Sequence, residues 1–221
     1  MNPEAHRHLA RVDPVMRDLM RRAGPCTIRP VRGESPYRAL VAAVAHQQLT
    51  AAAARTMLGR LRALYPHGDL PEPGELAATS LAALRGAGFS NAKSLALLDI
   101  ATKTLAGVIP TRRSLARLDD EAIVERLVQV RGVGRWTVEM FLIFTLARPD
   151  VLPVDDYGVR NGFRIAYGLD AMPKPRELAE FGRRWAPCRT TAAWLLWRAV
   201  DLHRDAQRGP RGAAKKRKRP T

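Results

Sequence analysis

Only two cysteines, Cys26 and Cys188, occur in the 221 residues, so neither a disulfide framework nor a four-cysteine zinc or iron–sulfur site can be assembled from this chain. Long apolar runs are missing as well. The longest, MFLIFTLA from Met140 to Ala147, is well short of the roughly 20 residues of a membrane helix, and the charged, proline-containing N-terminus does not read as a secretion signal. Neither membrane insertion nor export is expected, and a reducing compartment fits best: cytoplasmic in a bacterium, nuclear in a eukaryote. Acidic residues are scarce too, 21 Asp and Glu against 37 Lys and Arg, for a net charge of +16. Solubility does not require such an excess, and it attracts polyanions.

Part of that charge sits at one end. Arg204 to Thr221 carries eight Lys or Arg and one Asp, a contribution of +7 that leaves +9 on the rest. The run KKRKRP has no apolar periodicity, so residues 206–221 read as a basic, disordered tail, which fits weak nucleic-acid contact or an address signal as well as mere solubility. Apolar residues make up 46% of the chain, enough for a real core. They recur at helical spacing, whereas alternating runs are rare, so an all-α fold of nine or ten helices is expected. Residues 1–205 are expected to form one helical unit in two lobes, with the functional site in the cleft between them and its central elements within about 119–168.

Chemistry concentrates in two neighbouring segments. In LVQVRGVGRWTVEMFLIF, Gly132 and Gly134 lie between two amphipathic helices with only a few residues in which to turn, and glycine allows the positive φ and close approach of a tight turn. The first amides of the second helix, around Gly134 to Trp136, then point outward beside Arg131 and Arg135, a seat for one phosphate. Glycine also ends helices for purely structural reasons. About twenty residues on, VLPVDDYGVRNGF opens a new helix with Asp155 and Asp156. Helix capping accounts for such a pair, yet capping is compatible with chemistry: a helix N-terminus attracts negative charge, which suits a group that must face developing positive charge. His46, beside Gln47 and Gln48, is better read as structural or as a contact to a nucleic-acid partner than as catalytic.

RGVGRWTVEMFLIF followed by PVDDYGVRNG resembles the helix-hairpin-helix DNA glycosylase superfamily, in particular its DNA-3-methyladenine glycosylase II branch. YRALVAAVAHQQLTAAAA and LRGAGFSNAKSLALLDIA resemble two further blocks of that branch, so the likeness runs from about Pro36 to Asp205. It implies a base excision repair enzyme that flips alkylated, cationic purines such as 3-methyladenine or 7-methylguanine out of double-stranded DNA and hydrolyses the N-glycosidic bond. The resemblance puts the catalytic aspartate at Asp156, three residues before the aliphatic anchor Val159, and leaves Asp155 a supporting or capping role. Relatives that also cut the strand carry a lysine just after GVGR; Trp136 stands there, which implies a monofunctional enzyme.

The resemblance also gives Gln48 as the wedge that fills the vacated stack, with Gln47 lining the pocket or touching a neighbouring base. Trp136 and Trp197 would face the flipped base, with Tyr37 as a further wall, while Trp185 and Trp194 are read as core. Phosphate contacts would come from Arg131, Gly132, Val133, Gly134, Arg135 and Arg160, with Lys93 adding charge, and a monovalent cation, Na+ or K+, would sit on the carbonyls of Val128, Val130 and Val133. No cofactor is expected for catalysis, no iron–sulfur cluster and no N-terminal β domain, and the protein is expected to be a monomer. Two other readings remain open on the residues alone: a same-fold glycosylase for oxidised or mispaired bases, and a non-catalytic DNA-binding module.

Overall fold

In the computed structural model, residues 3–31 and 33–208 are described. Among them there is no strand, in keeping with the all-α expectation. The basic stretch 209–221, and with it the reading of that stretch as disordered, lies outside the described residues. The expected tail boundary at 206 moves, because the last helix continues through Arg208.

The chain divides into two compact units, one formed by described residues 3–29 and 148–208, the other by Pro30–Ala147. The first unit opens with α1 (Pro3–Val12) and α2 (Pro14–Ala23). A single helix over 12–23 is the sequence expectation. The break falls where Asp13 caps α2, accepting from the amides of Val15 and Met16 at 3.0 and 3.3 Å, with Pro14 in the first turn. In α1, Ala5 and Leu9 form a short apolar stripe that is buried. The unit continues with α11 (Tyr157–Tyr167), α12 (Pro175–Gly182), a 3₁₀ turn at Arg183–Trp185 and α13 (Arg189–Arg208). Met16, Leu19, Val159, Phe163, Trp185, Leu195 and Leu196 meet in its core.

One buried charge ties this unit together. Asp13 is 2% exposed, and its Oδ2 accepts from the Tyr167 hydroxyl at 2.5 Å and the Trp185 indole at 2.9 Å. Four donors on one carboxylate replace the water it has lost. Burial, then the neighbouring carboxylate, pushes the Tyr167 hydroxyl well above the usual phenol range.

The second unit holds α3 (Pro36–His46), α4 (Ala51–Arg62), α5 (Pro73–Ala77), α6 (Leu81–Gly86), α7 (Asn91–Leu105), α8 (Arg112–Leu115), α9 (Asp120–Leu127) and α10 (Arg135–Phe144). Ser80 splits the expected helix at 75–84 in two, since its hydroxyl accepts from the Ala83 amide and starts a fresh N-terminus. Helix α7 packs against α3, α5 and α6 and buries Ala96, Leu97, Ile100 and Ala101. From that central place α7 also holds two loops, through the polar groups of Lys93, Asp99 and Lys103.

Candidate active site and nucleic-acid interface

In the second unit, α9 and α10 are joined by residues 128–134. Val130 and Val133 are buried and plug the turn into the core, and the Val133 amide donates to the Val130 carbonyl at 3.0 Å. Gly132 has φ 73°, the left-handed region, and a Cβ there would lie 3.1 Å from that of Ala96. Gly134 differs from expectation. It is extended, with φ −92° and ψ 170°, and a Cβ would meet nothing. Its contribution is to cap α10 with no side-chain hydrogen bond, which keeps the positive end of the helix dipole clear of side-chain acceptors from its own cap. Of the flanking cations, Arg131 is exposed, whereas Arg135 is paired with Glu121 across the hairpin.

The turn is held from α7. Asp99 Oδ2 accepts from the Arg131 amide at 2.7 Å and from Lys103 Nζ at 2.8 Å, and Lys103 also donates to the Gln129 carbonyl. Burial alone would raise the Asp99 carboxyl, but the Arg131 amide and the Lys103 ammonium outweigh it and hold it below the usual carboxylate range.

The second loop follows α3. Gln47 caps that helix, Gln48 has φ 56°, a left-handed conformation unusual for a residue with a Cβ, and Thr50 caps α4 through its hydroxyl. Lys93 Nζ donates to the carbonyls of Ala45 and Gln47 at 3.0 and 2.7 Å, and burial lowers its pKa. Gln47 Nε2 donates to the Gly132 carbonyl at 2.8 Å.

A cavity of about 530 Å³ opens here, lined by Ala43, His46, Gln47, Gln48, Trp136, Thr137 and Met140. Trp136 is 44% exposed, so it is a surface residue of the cavity and not part of the core. The structure thus brings Gln47, Gln48 and Trp136 together. Tyr37 lies elsewhere: it is buried, donates its hydroxyl to the Pro71 carbonyl at 2.8 Å, and lines a different cavity of about 610 Å³ with Pro36, Ile109 and Arg112.

In the first unit, Asp156 is the N-cap of α11. Its Oδ1 accepts from the Val159 amide at 2.7 Å and from the Trp197 indole of α13 at 2.8 Å. Asp155 is exposed, so capping falls to Asp156 itself. Arg160 Nε donates to the Pro173 carbonyl at 2.9 Å, which ties α11 to the segment before α12. The approach of Trp197 depends on two glycines that sequence reasoning passed over. A Cβ at Gly158 would lie 2.9 Å from Trp197 Cδ1, and one at Gly162 would lie 2.0 Å from the Leu196 carbonyl oxygen. Their spacing of four residues, on one helix face, was the available signal. Trp185 and Trp194 are buried, as read from the sequence.

Among the described residues, no group of three or more His, Cys, Asp or Glu side chains could hold a metal ion, and no helix is long and apolar enough to cross a membrane. A helical hairpin with a glycine turn, followed by an aspartate capping the next helix, defines a class. Residues 41–188 match the model of the HhH-GPD superfamily of base excision DNA repair proteins, and the chain belongs to that superfamily.

Within it, the chain is 39% identical to DNA-3-methyladenine glycosylase 1 of Schizosaccharomyces pombe, over 90% of this chain and 88% of that protein. It is 33% identical to the alkylbase DNA glycosidase-like protein mag2 of the same organism, over 92% and 96%. Among solved structures, the S. pombe 3-methyladenine DNA glycosylase in complex with abasic DNA superposes with TM-score 0.77 at 40% identity, covering 88% of this chain and 95% of that one. The Bacillus halodurans DNA-3-methyladenine glycosidase superposes with TM-score 0.82 at 30% identity, covering 92% of both.

Proposed function

We propose that this protein is a monofunctional DNA glycosylase of base excision repair, which everts alkylated, cationic purines such as 3-methyladenine or 7-methylguanine from duplex DNA and hydrolyses the N-glycosidic bond with Asp156. The observation that carries this reading is the carboxylate of Asp156, fixed by a backbone amide and an indole N–H on the same oxygen, in a chain of this repair superfamily.

Eversion removes a base from the stack at a cost of a few kcal/mol, and Gln48, at the exposed tip of the α3–α4 loop, is the wedge that fills the gap. The glycosidic bond breaks with its electron pair going to the base, so a cationic purine leaves neutral and needs no separate acid. The sugar takes on oxocarbenium character. The Asp156 carboxylate stabilises that charge and orients the attacking water, whose oxygen bonds to C1′ while its proton passes to the carboxylate or to solvent. Trp136 offers an electron-rich face on which a cationic base gains roughly 0.5–2 kcal/mol.

The hairpin supplies the grip on the strand, through the amides of Gly132 and Gly134, the dipole of α10 and the exposed Arg131. Carbonyls of Val128, Val130 and Val133 are neutral oxygen donors that suit a monovalent cation. Val130 spends one lone pair on the Val133 amide and has a second to give. Such an ion would add positive charge next to the gripped phosphate.

The test is Asp156→Asn on a panel of methylated, oxidised, deaminated and mismatched duplexes, with abasic sites revealed by hot alkali. Wild-type protein is expected to release methylated purines. The variant is expected to bind the same DNA with unchanged affinity and to release no base. Base release by the variant at the wild-type rate would remove Asp156 from the mechanism, and wild-type release confined to oxidised or mismatched duplexes would overturn the alkylpurine assignment.

A further inference from the structure

Gln48 holds a left-handed backbone, φ 56°, which a residue with a Cβ keeps only when its surroundings over-determine it. The peptide that precedes Gln48 is pinned by Lys93, whose ammonium takes the carbonyls of Ala45 and Gln47 and so also caps the negative end of α3. From the same loop the Gln47 side chain crosses to the hairpin and donates to the carbonyl of Gly132, the one left-handed residue of that turn. The hairpin is tied to α7 in turn, through Asp99 to the Arg131 amide and through Lys103 to the Gln129 carbonyl, and Ala96 lies so near that a Cβ on Gly132 would be 3.1 Å from its own.

Lys93, Ala96, Asp99 and Lys103 recur every three or four residues, so they share one side of α7. Two loops from distant parts of the sequence are therefore fastened to one stripe of one helix, and Gln47 closes the circuit between them.

We propose that Gln47 is a positioning residue, a strut that together with Lys93 and Asp99 fixes the distance between the Gln48 wedge and the phosphate-gripping hairpin, so that gripping one phosphate and opening the stack a set number of nucleotides away occur as a single event. This rests on the functional reading above. It differs from a role in reading bases, because the Gln47 donor is committed to a backbone carbonyl of the protein. A strut acts equally on every lesion and every opposing base, whereas a reader discriminates between them.

The experiment uses the full chain carrying Gln47→Ala, Gln47→Glu or Lys93→Met, with 2-aminopurine beside a 7-methylguanine in duplex DNA to report opening of the stack. Single-turnover base release and affinity for undamaged duplex are measured alongside, and thermal unfolding confirms that each variant is folded. Gln47→Glu keeps the shape but has no N–H to donate to the Gly132 carbonyl, so both Gln47 variants are expected to lower the opening signal and the single-turnover rate by up to about tenfold, as the loss of one hydrogen bond allows. The drop is expected to be the same opposite each of the four bases, with undamaged duplex bound by Gln47→Ala as by wild type and by Gln47→Glu more weakly, since the new carboxylate lies beside the phosphate grip. The double variant Gln47→Ala, Lys93→Met is expected to lose no more than the worse single one, since either cut opens the same circuit. A loss that depends on the opposing base, wild-type opening by Gln47→Glu, or fully multiplicative losses in the double variant would overturn the strut. Wild-type protein that opens the stack yet releases no base would instead overturn the glycosylase reading while leaving the strut standing.

Discussion

Asp156 takes two donors on one oxygen, and the identity of the second bears on what Trp197 contributes. From sequence, Trp197 is a face for the flipped base. In the structure its N–H points at the carboxylate, with Gly158 leaving the room for it. Trp197→Phe separates the two roles, because phenylalanine keeps an aromatic face and loses the N–H. If the indole orients the carboxylate, kcat is expected to fall about tenfold with KM nearly unchanged, the signature of an interaction that acts in the transition state. A raised KM at wild-type kcat would make Trp197 a stacking surface only. Trp136, exposed in its cavity, gives the opposite expectation and serves as the comparison.

Elements were legible where caps and periodicity agree. Thr50, Ser90 and Asp119 each start a helix where a capping side chain precedes an apolar-periodic stretch, and α3 spans its expected residues. The short elements were not legible one by one: α5 and α6 read as a single helix and α8 not at all, because a helix of four to six residues is too brief to display a period and owes its existence to packing. The hairpin was legible as a turn but not in its internal division of labour. Gly132 alone needs a left-handed backbone, and a Cβ there would meet Ala96 besides. Gly132→Ala is therefore expected to lower stability by about 1–2 kcal/mol from the conformation alone and to weaken binding of undamaged duplex. Gly134→Ala needs no left-handed backbone and is expected to cost less, under about 1 kcal/mol, from the poorer N-cap alone. Urea denaturation and a binding titration check both, and equal losses from the two variants would contradict the assignment.

For the whole molecule, charge is the property read most directly from composition, and its partner is DNA. An excess of +16 predicts that binding to undamaged duplex is driven by counterion release. If about four phosphates are neutralised, a rise from about 50 to about 200 mM salt is expected to weaken binding about a hundredfold. Fluorescence anisotropy of a labelled duplex across that range measures the slope, and a slope corresponding to fewer than about one phosphate would show that the excess charge serves something else. Not every cation is available to DNA, since Arg135 pairs with Glu121, Arg189 with Asp150, and Lys93 and Lys103 bond backbone carbonyls.

By itself the sequence determined the helical class, the glycine hairpin, the capping aspartate and the repair superfamily, because each is written in a short stretch whose physics is local: a cap, a turn, a period, a motif. Only the tertiary structure decided which partner each polar group takes. Lys93, read from sequence as charge for a phosphate contact, caps α3, Gln47 bonds a carbonyl 85 residues further on, and Trp197 reaches back 41 residues to Asp156. Such pairings depend on how helices pack at a distance, and a donor whose acceptor is chosen by packing leaves no trace in its own neighbourhood of the chain.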